Sequence, residues 1–243
     1  KYLQSVDGFV FNSKTTEAVV NGLVGNNIPS LVAYPPTDRF GDAISQKEIV
    51  ERAQSAEFRI LFLGNVIYRK GLHVLLEALQ QVGRDNIASY RVDVVGGSTV
   101  EPAYVKKIQG FINVNNLFSI VFLHGALDNQ PLIEKLKQAH VLVVPSSYEG
   151  FGIVYLEGMC FGLPAIGTSA GAAGEIISGG VDGFLVPPGD AEMLANRLNI
   201  LNEKRDVLVQ MSLAARERYL RQPKWEQTAG RIREFLLKQI RAF

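Results

Sequence analysis

Short runs of β-branched and aliphatic residues recur along this chain, at Gly8–Phe11, Leu31–Tyr34, Arg59–Leu63, Arg91–Val95, Ile120–Leu123, Val141–Val144 and Pro164–Gly167, and most of the gaps between them carry helical periodicity. That alternation restricts the chain to units in which a strand, a helix and a parallel strand follow one another. Within the runs, ILFL, VDVV, IVFL and VLVV are almost wholly apolar. A strand with one face in water alternates polar and apolar residues, so near-continuous apolar strands call for helices on both faces of their sheet. The predicted fold class is α/β, a doubly wound parallel sheet.

The helices are legible by spacing. In Leu72–Leu79 the apolar residues 72, 75, 76 and 79 follow i, i+3, i+4, i+7, which is one buried stripe, and Leu132–Ala139 reads alike. Past Val186 a PPGD turn offers Asp190 as an N-cap. Helical patterns then run to Gln222 and from Trp225 to the end, interrupted at Pro223, which has no N–H to donate inside a helix.

Charge removes several function classes. Lys+Arg number 25 against 24 Asp+Glu, a net charge of +1 over 243 residues, with no run of five like charges. Nothing here tracks a polyanion, so no nucleic-acid partner is expected. The longest apolar stretch, Phe151 to Gly167, is broken by Glu157 and Pro164 and falls short of the roughly 18 uninterrupted residues of a membrane span. A single cysteine, Cys160, cannot form an internal disulfide, and the opening KYLQSVDGF lacks a signal-peptide pattern. A cytoplasmic location is the expectation.

The first forty residues differ in kind. They hold a strand, a helix over Lys14–Gly22, and a Pro-containing connection from Tyr34 to Phe40 that reads as an extended linker. A strand and a helix alone cannot bury a core, so residues 1–33 read as the last piece of a preceding domain, with a boundary near Ala43.

Two loops carry the candidate chemistry. The first, Tyr148-Glu149-Gly150-Phe151-Gly152-Ile153-Val154-Tyr155-Leu156-Glu157, follows the VLVV strand and runs into a helix. Free N–H groups at a helix start, beside glycines that let a ligand approach, suit a phosphate. The same residues also read as a plain strand-to-helix turn with Glu157 on a solvated face. If most of the segment is helical, Glu149 and Glu157 lie about 12 Å apart along the axis, beyond the roughly 5 to 9.5 Å of paired glycosidase carboxylates. Such carboxylates suit opposite ends of one elongated ligand better than acid/base work. The second loop, Gly64-Asn65-Val66-Ile67-Tyr68-Arg69-Lys70-Gly71, again joins a buried strand to a helix. Its two cations could neutralise a diphosphate and stabilise charge growing on it as a leaving group, or could lie in a solvated loop. The loops lend each other weight because both fall on the same edge of one sheet.

Other residues are read with less at stake. Gly96-Gly97 follows the VDVV strand as a turn or as a close approach to a ligand, and His124 ends a strand as a ligand contact or as a hydrogen-bonded structural residue. His73 and His140 read as structural, and Cys160 as core. Three scattered histidines give no zinc spacing, and no Asp-x-Asp is present to hold a metal–diphosphate pair.

In order and content the two loops resemble the carboxyl-terminal, donor-binding half of the retaining GT-B glycosyltransferases, family 4 (glycosyl transferases group 1). The resemblance runs from about Tyr34 to the end. It rests on the E-x7-E signature at Glu149 and Glu157, with KGLHVLLEAL, the GG after VDVV, and VDGFLVPPGD beside it. It implies a Rossmann-like domain over residues 43–222, a remnant of the amino-terminal acceptor domain with its linker over 1–42, and a terminal helix over 223–243 that crosses back. It further implies that Glu149 and the amides of Gly150, Phe151, Gly152 and Ile153 meet the donor sugar, Glu157 the ribose, and Lys70 the diphosphate, with Gly64 and Gly97 in the cleft and His124 beside the base. Asn65 departs from the family's arginine, so either Arg69 supplies that charge or diphosphate binding is weaker. The implied reaction is metal- and cofactor-free, with a nucleotide sugar as donor and a sugar, lipid or small molecule as acceptor. The absent domain is an expected partner, membrane contact is expected only peripherally through it, and self-association stays open. A non-catalytic nucleotide-binding module, a nucleotide-sugar epimerase and a glycogen-synthase-like enzyme are the alternatives.

Overall fold

The computed structural model describes residues 3, 5–25, 28–41, 44–82 and 89–241, and the boundary expected near Ala43 lies outside them. The chain opens with β1 (Phe9–Phe11), α1 (Lys14–Val24) and β2 (Ser30–Val32), the two strands pairing in parallel as a small sheet of their own. Helix α1 buries no residue. The first segment thus holds the runs expected at Gly8–Phe11 and Leu31–Tyr34 as a strand pair, yet lacks a core of its own.

The main body follows. Helix α2 (Gln46–Arg52) opens on a capping box in which Ser45 and Glu48 satisfy each other's backbone N–H groups. Then come β3 (Phe58–Leu63), α3 (Leu72–Gln81), β4 (Tyr90–Val95), α4 (Pro102–Val114), β5 (Val121–Gly125), α5 (Asn129–Gln138), β6 (Val141–Val143), α6 (Ile153–Cys160), β7 (Ala165–Thr168) and β8 (Gly183–Val186). Helices α7 (Ala191–Glu203), α8 (Arg205–Leu220) and α9 (Trp225–Arg241) complete it. Among the described residues the large sheet has six parallel strands in the order β5-β4-β3-β6-β7-β8.

That order reverses at β3/β6. Right-handed crossovers that first build outward through β4 and β5, then return to build through β6 to β8, place their helices on opposite faces. Helix α3 packs between α4 and α7; on the other side α6 packs beneath α8, which also touches α2. The stripe 72, 75, 76, 79 is fully buried, as are Ile60, Leu61 and Phe62 of β3 and Val141 to Val144 around β6. Truncating one such leucine to alanine costs about 2–5 kcal/mol.

The linker is pinned along its length. Tyr219 Oη donates to the Thr37 carbonyl at 2.5 Å, Gln222 Nε2 to Pro35 at 2.9 Å and Thr228 Oγ1 to Tyr34 at 3.0 Å. Helix α9 also reaches the small sheet through Arg231, which donates to the Val32 carbonyl at 3.1 Å.

Candidate functional site

The reversal point of a doubly wound sheet leaves a crevice at the carboxyl ends of the strands beside it, because neighbouring loops there turn away to opposite faces. The loop after β3 carries Arg69 and Lys70; the loop after β6 carries Glu149. Both therefore leave the sheet at the one place where this topology opens a cleft.

Two glycines shape these loops. Gly71 ends the Tyr68–Lys70 turn at φ +75°, and a Cβ there would stand 2.1 Å from the Pro145 carbonyl oxygen. Only glycine tolerates both the left-handed backbone and that approach. Gly152 caps α6 at φ +93°, where a Cβ would strike the Tyr155 ring at 2.6 Å. It brings no side chain to the first N–H groups of α6, which have no acceptor within the helix.

Glu149 is the hub. Its side chain is 7% exposed and its Oε1 accepts from Lys70 Nζ at 2.5 Å and from Ser146 Oγ at 2.6 Å. Arg69 stands 3.8 Å from Oε2 and donates to the Tyr148 carbonyl at 2.7 Å. Two cations face one carboxylate, and the α6 start adds the positive end of its dipole. The surplus charge is positive.

The remaining predicted residues divide. Asn65 Oδ1 accepts from the Gly97 N–H at 3.1 Å, which braces the β3 and β4 loops against each other, and Gly64 donates to the Val95 carbonyl at 2.9 Å. Phe151 is buried and stacks on Tyr34 at 5.9 Å, so its backbone and not its ring is available to a ligand. Ile153 is exposed at the helix start. Four of the nine residues from Glu149 to Glu157 precede the helix, so the axial spacing expected of a mostly helical stretch does not hold across the segment. Glu157 pairs with Arg39 of the linker at 2.6 Å, with its own side chain 13% exposed, so its face is not solvated. His124 is turned inward: Nε2 lies 2.6 Å from Asp93 Oδ1, which also accepts from Lys135 at 2.9 Å. Burial alone would raise the Asp93 carboxyl, but hydrogen bonds from Arg91, Lys135 and His124 prevail and hold it at about 2.

Several participants escape sequence reasoning. Ser146 supports Glu149, and Arg39 supports Glu157. Ser13 Oγ and Thr16 Oγ1 of the α1 start donate to the Gly150 carbonyl at 2.8 and 3.3 Å. Glu175 does not escape it: in GAAGEII it resembles a family glutamate whose side chain caps a loop, and here it accepts from the Lys14 and Thr15 N–H groups at 2.9 and 2.8 Å and from Tyr34 Oη at 3.0 Å. Its carboxyl, which burial would raise, is held below the usual range by these donors. Apart from Ser146, which stands three residues before Glu149, these are contacts between segments over 100 residues apart, which no local pattern encodes. An apolar recess of about 480 Å³, walled by Tyr68, His73, Tyr104 and Phe111, shares only Tyr68 with the loop of cations and touches neither Glu149 nor Glu157.

Proteins of known sequence and structure resemble this chain. An uncharacterised glycosyltransferase of Methanocaldococcus jannaschii is 34% identical over 142 residues, 58% of this chain and 35% of its own length. Sucrose-phosphate synthase from Thermosynechococcus elongatus superposes with a TM-score of 0.85 at 26% identity, over 99% of this chain and 60% of that one. Anabaena HepE, solved with UDP and glucose, superposes with a TM-score of 0.83 at 24% identity, over 95% and 63%. The chain thus spans about a third of the curated relative and under two thirds of either solved structure. The fold is the GT-B glycosyltransferase half with a Rossmann-like sheet. The family model for glycosyl transferases group 1 matches residues 45–218, from the capping box of α2 to the last turn of α8, and the chain belongs to that family.

Proposed function

We propose that this chain carries the donor half of a retaining glycosyltransferase, which moves a sugar from a nucleoside-diphosphate sugar to a hydroxyl of a sugar, lipid or small-molecule acceptor. The observation that carries this reading is the convergence of Lys70 and Arg69 on one buried carboxylate at the sheet's reversal point, three residues before the Gly152-capped helix start. A surplus of positive charge beside free N–H groups suits a diphosphate, most of all while charge builds on its departing oxygen.

In this reading Lys70 exchanges a Glu149 oxygen for a phosphate oxygen when donor binds, and the released carboxylate turns to the sugar hydroxyls. Arg69 supplies the charge that Asn65 does not. Glu157 accepts from the ribose. The acceptor oxygen bonds to the anomeric carbon, the bond from that carbon to the diphosphate oxygen breaks, and the acceptor's proton passes to the departing oxygen. No side chain is required as base, and protein cations stand where a metal would otherwise neutralise the diphosphate. Acceptor contacts are assigned to a domain outside this chain, towards which the small sheet and α9 would face.

Calorimetry on Lys70→Ala tests the reading, with UDP as the first fragment because HepE holds it. Affinity for UDP should fall by about 1.5–3 kcal/mol, the value of a charge-assisted hydrogen bond, while affinity for uridine stays level. Equal losses for both ligands would sink the assignment of Lys70 to the diphosphate.

A further inference from the structure

Glu157 stands on the second turn of α6, and a free glutamate there would move among several rotamers, an entropy that any ligand gripping it would have to overcome. The linker removes that freedom. Arg39 Nη1 donates to Glu157 Oε1 at 2.6 Å, and Nη2 of the same guanidinium donates to Asn129 Oδ1, at the start of α5, at 2.7 Å. One planar fork thus ties together the two helices that flank β6.

The fork is itself anchored. Its guanidinium lies 4.8 Å from the centre of the Phe40 ring, and Phe40 packs edge-on at 5.4 Å against Phe161, which is fully buried. The ion pair uses Oε1, and among the described residues none donates to Oε2. A carboxylate pinned through one oxygen can still accept through the other. A small cavity of about 130 Å³ adjoins it, lined by Thr37, Arg39, Phe40, Ile153 and Glu157 with Tyr219.

We propose that Arg39 is the positioning residue for Glu157: it fixes the carboxylate so that Oε2 meets the vicinal hydroxyls of the donor nucleoside. This rests on the assignment of Glu157 to the ribose. It gives the linker a part in donor recognition, since a residue of the connection between the two sheets sets the geometry of a binding group on the large one. Lysine cannot replace it fully, because an ammonium on a flexible stem does not span two fixed acceptors as a guanidinium does.

The test measures UDP and inorganic pyrophosphate binding by calorimetry on the 243-residue chain, its variants Arg39→Ala, Arg39→Lys and Glu157→Ala, and the double variant. Arg39→Ala should weaken UDP roughly tenfold, about the loss of one preorganised polar contact, and leave pyrophosphate unchanged. Arg39→Lys should recover part of the loss. Adding Arg39→Ala to Glu157→Ala should cost nothing further, since residues that act as a unit are not additive. Equal losses for UDP and pyrophosphate, full additivity, or tighter UDP binding by Arg39→Ala would each overturn the role of Arg39. If Glu157→Ala binds UDP as well as the parent chain does, the ribose assignment fails and the proposal falls with it. A loss in Glu157→Ala with none in Arg39→Ala removes the proposal alone.

Discussion

Lys70 and Glu149 neutralise one another across two loops, so each is the other's competitor for a ligand. Glu149→Gln keeps an oxygen for Ser146 to donate to but releases the Lys70 charge. It should raise affinity for UDP by about 0.5–1 kcal/mol, the scale of a partly screened ion pair, and abolish the extra affinity that a UDP-sugar shows over UDP. Titrations of both ligands on one variant decide it, and weaker UDP binding would refute the competition. The meeting of these two residues was legible because each follows an apolar run that announces a strand, and loops at one edge of a parallel sheet must share a neighbourhood. Arg39 was not. It lies in a Pro-containing stretch without periodicity, 118 residues from the glutamate it holds, and a lone arginine in a linker carries no signal of its partner. Asp93 was hidden differently: a charged residue inside VDVV looks like an interruption of a buried strand, and only the fold brings Lys135 and His124 to satisfy it.

Among the elements, the seven expected strands all form, with ends shifted by one or two residues. Strand β8 escaped because its apolar residues, Phe184 to Val186, are crowded between Gly183 and the PPGD turn and read as part of the loop. The break between α7 and α8 falls at Lys204 in a stretch free of glycine and proline, so no residue type marks it; Lys204 leaves helical backbone at φ −106°, ψ 80°. Helix α2 carries a readable Ser45-x-x-Glu48 start but buries only Ile49, too thin a stripe to stand out. The turn before α3 makes a sharper demand. Gly71→Ala forces a left-handed alanine against the Pro145 carbonyl, which costs at least about 1–2 kcal/mol from backbone strain alone and pushes the Tyr68–Lys70 turn off the β6 loop. Both the urea midpoint and UDP affinity should fall. A variant that loses stability yet binds UDP normally would show that the two loops need not touch.

At the scale of the molecule, acid stability turns on a buried ring. His140 Nδ1 accepts from the Arg59 N–H at 2.9 Å and Nε2 faces the Arg52 carbonyl at 2.8 Å, a pattern that requires the neutral imidazole and that stitches α2, β3 and β6 together. Burial holds its pKa at about 4. The unfolded chain takes up this proton first as pH falls below about 6.5, so stability drops through the window down to pH 4, by on the order of 3 kcal/mol. Asp93 acts below that window: its folded value near 2 confers stability that is present above about 3.8 and lost as pH falls to 2. Urea unfolding at pH 7 and 4.5 should show a steeper fall for the parent chain than for His140→Leu, and parallel curves would contradict this origin. One further consequence follows from the start of α1, where Ser13 and Thr16 hold the Gly150 carbonyl while Glu175 grips the same turn from the large sheet. The loop bearing Glu149 is thereby moored to the small sheet as well as to its own strand. A swing of the small sheet would pull on one peptide group, so the cost of that swing and the cost of reshaping the loop are coupled through it, and whatever biases one biases the other.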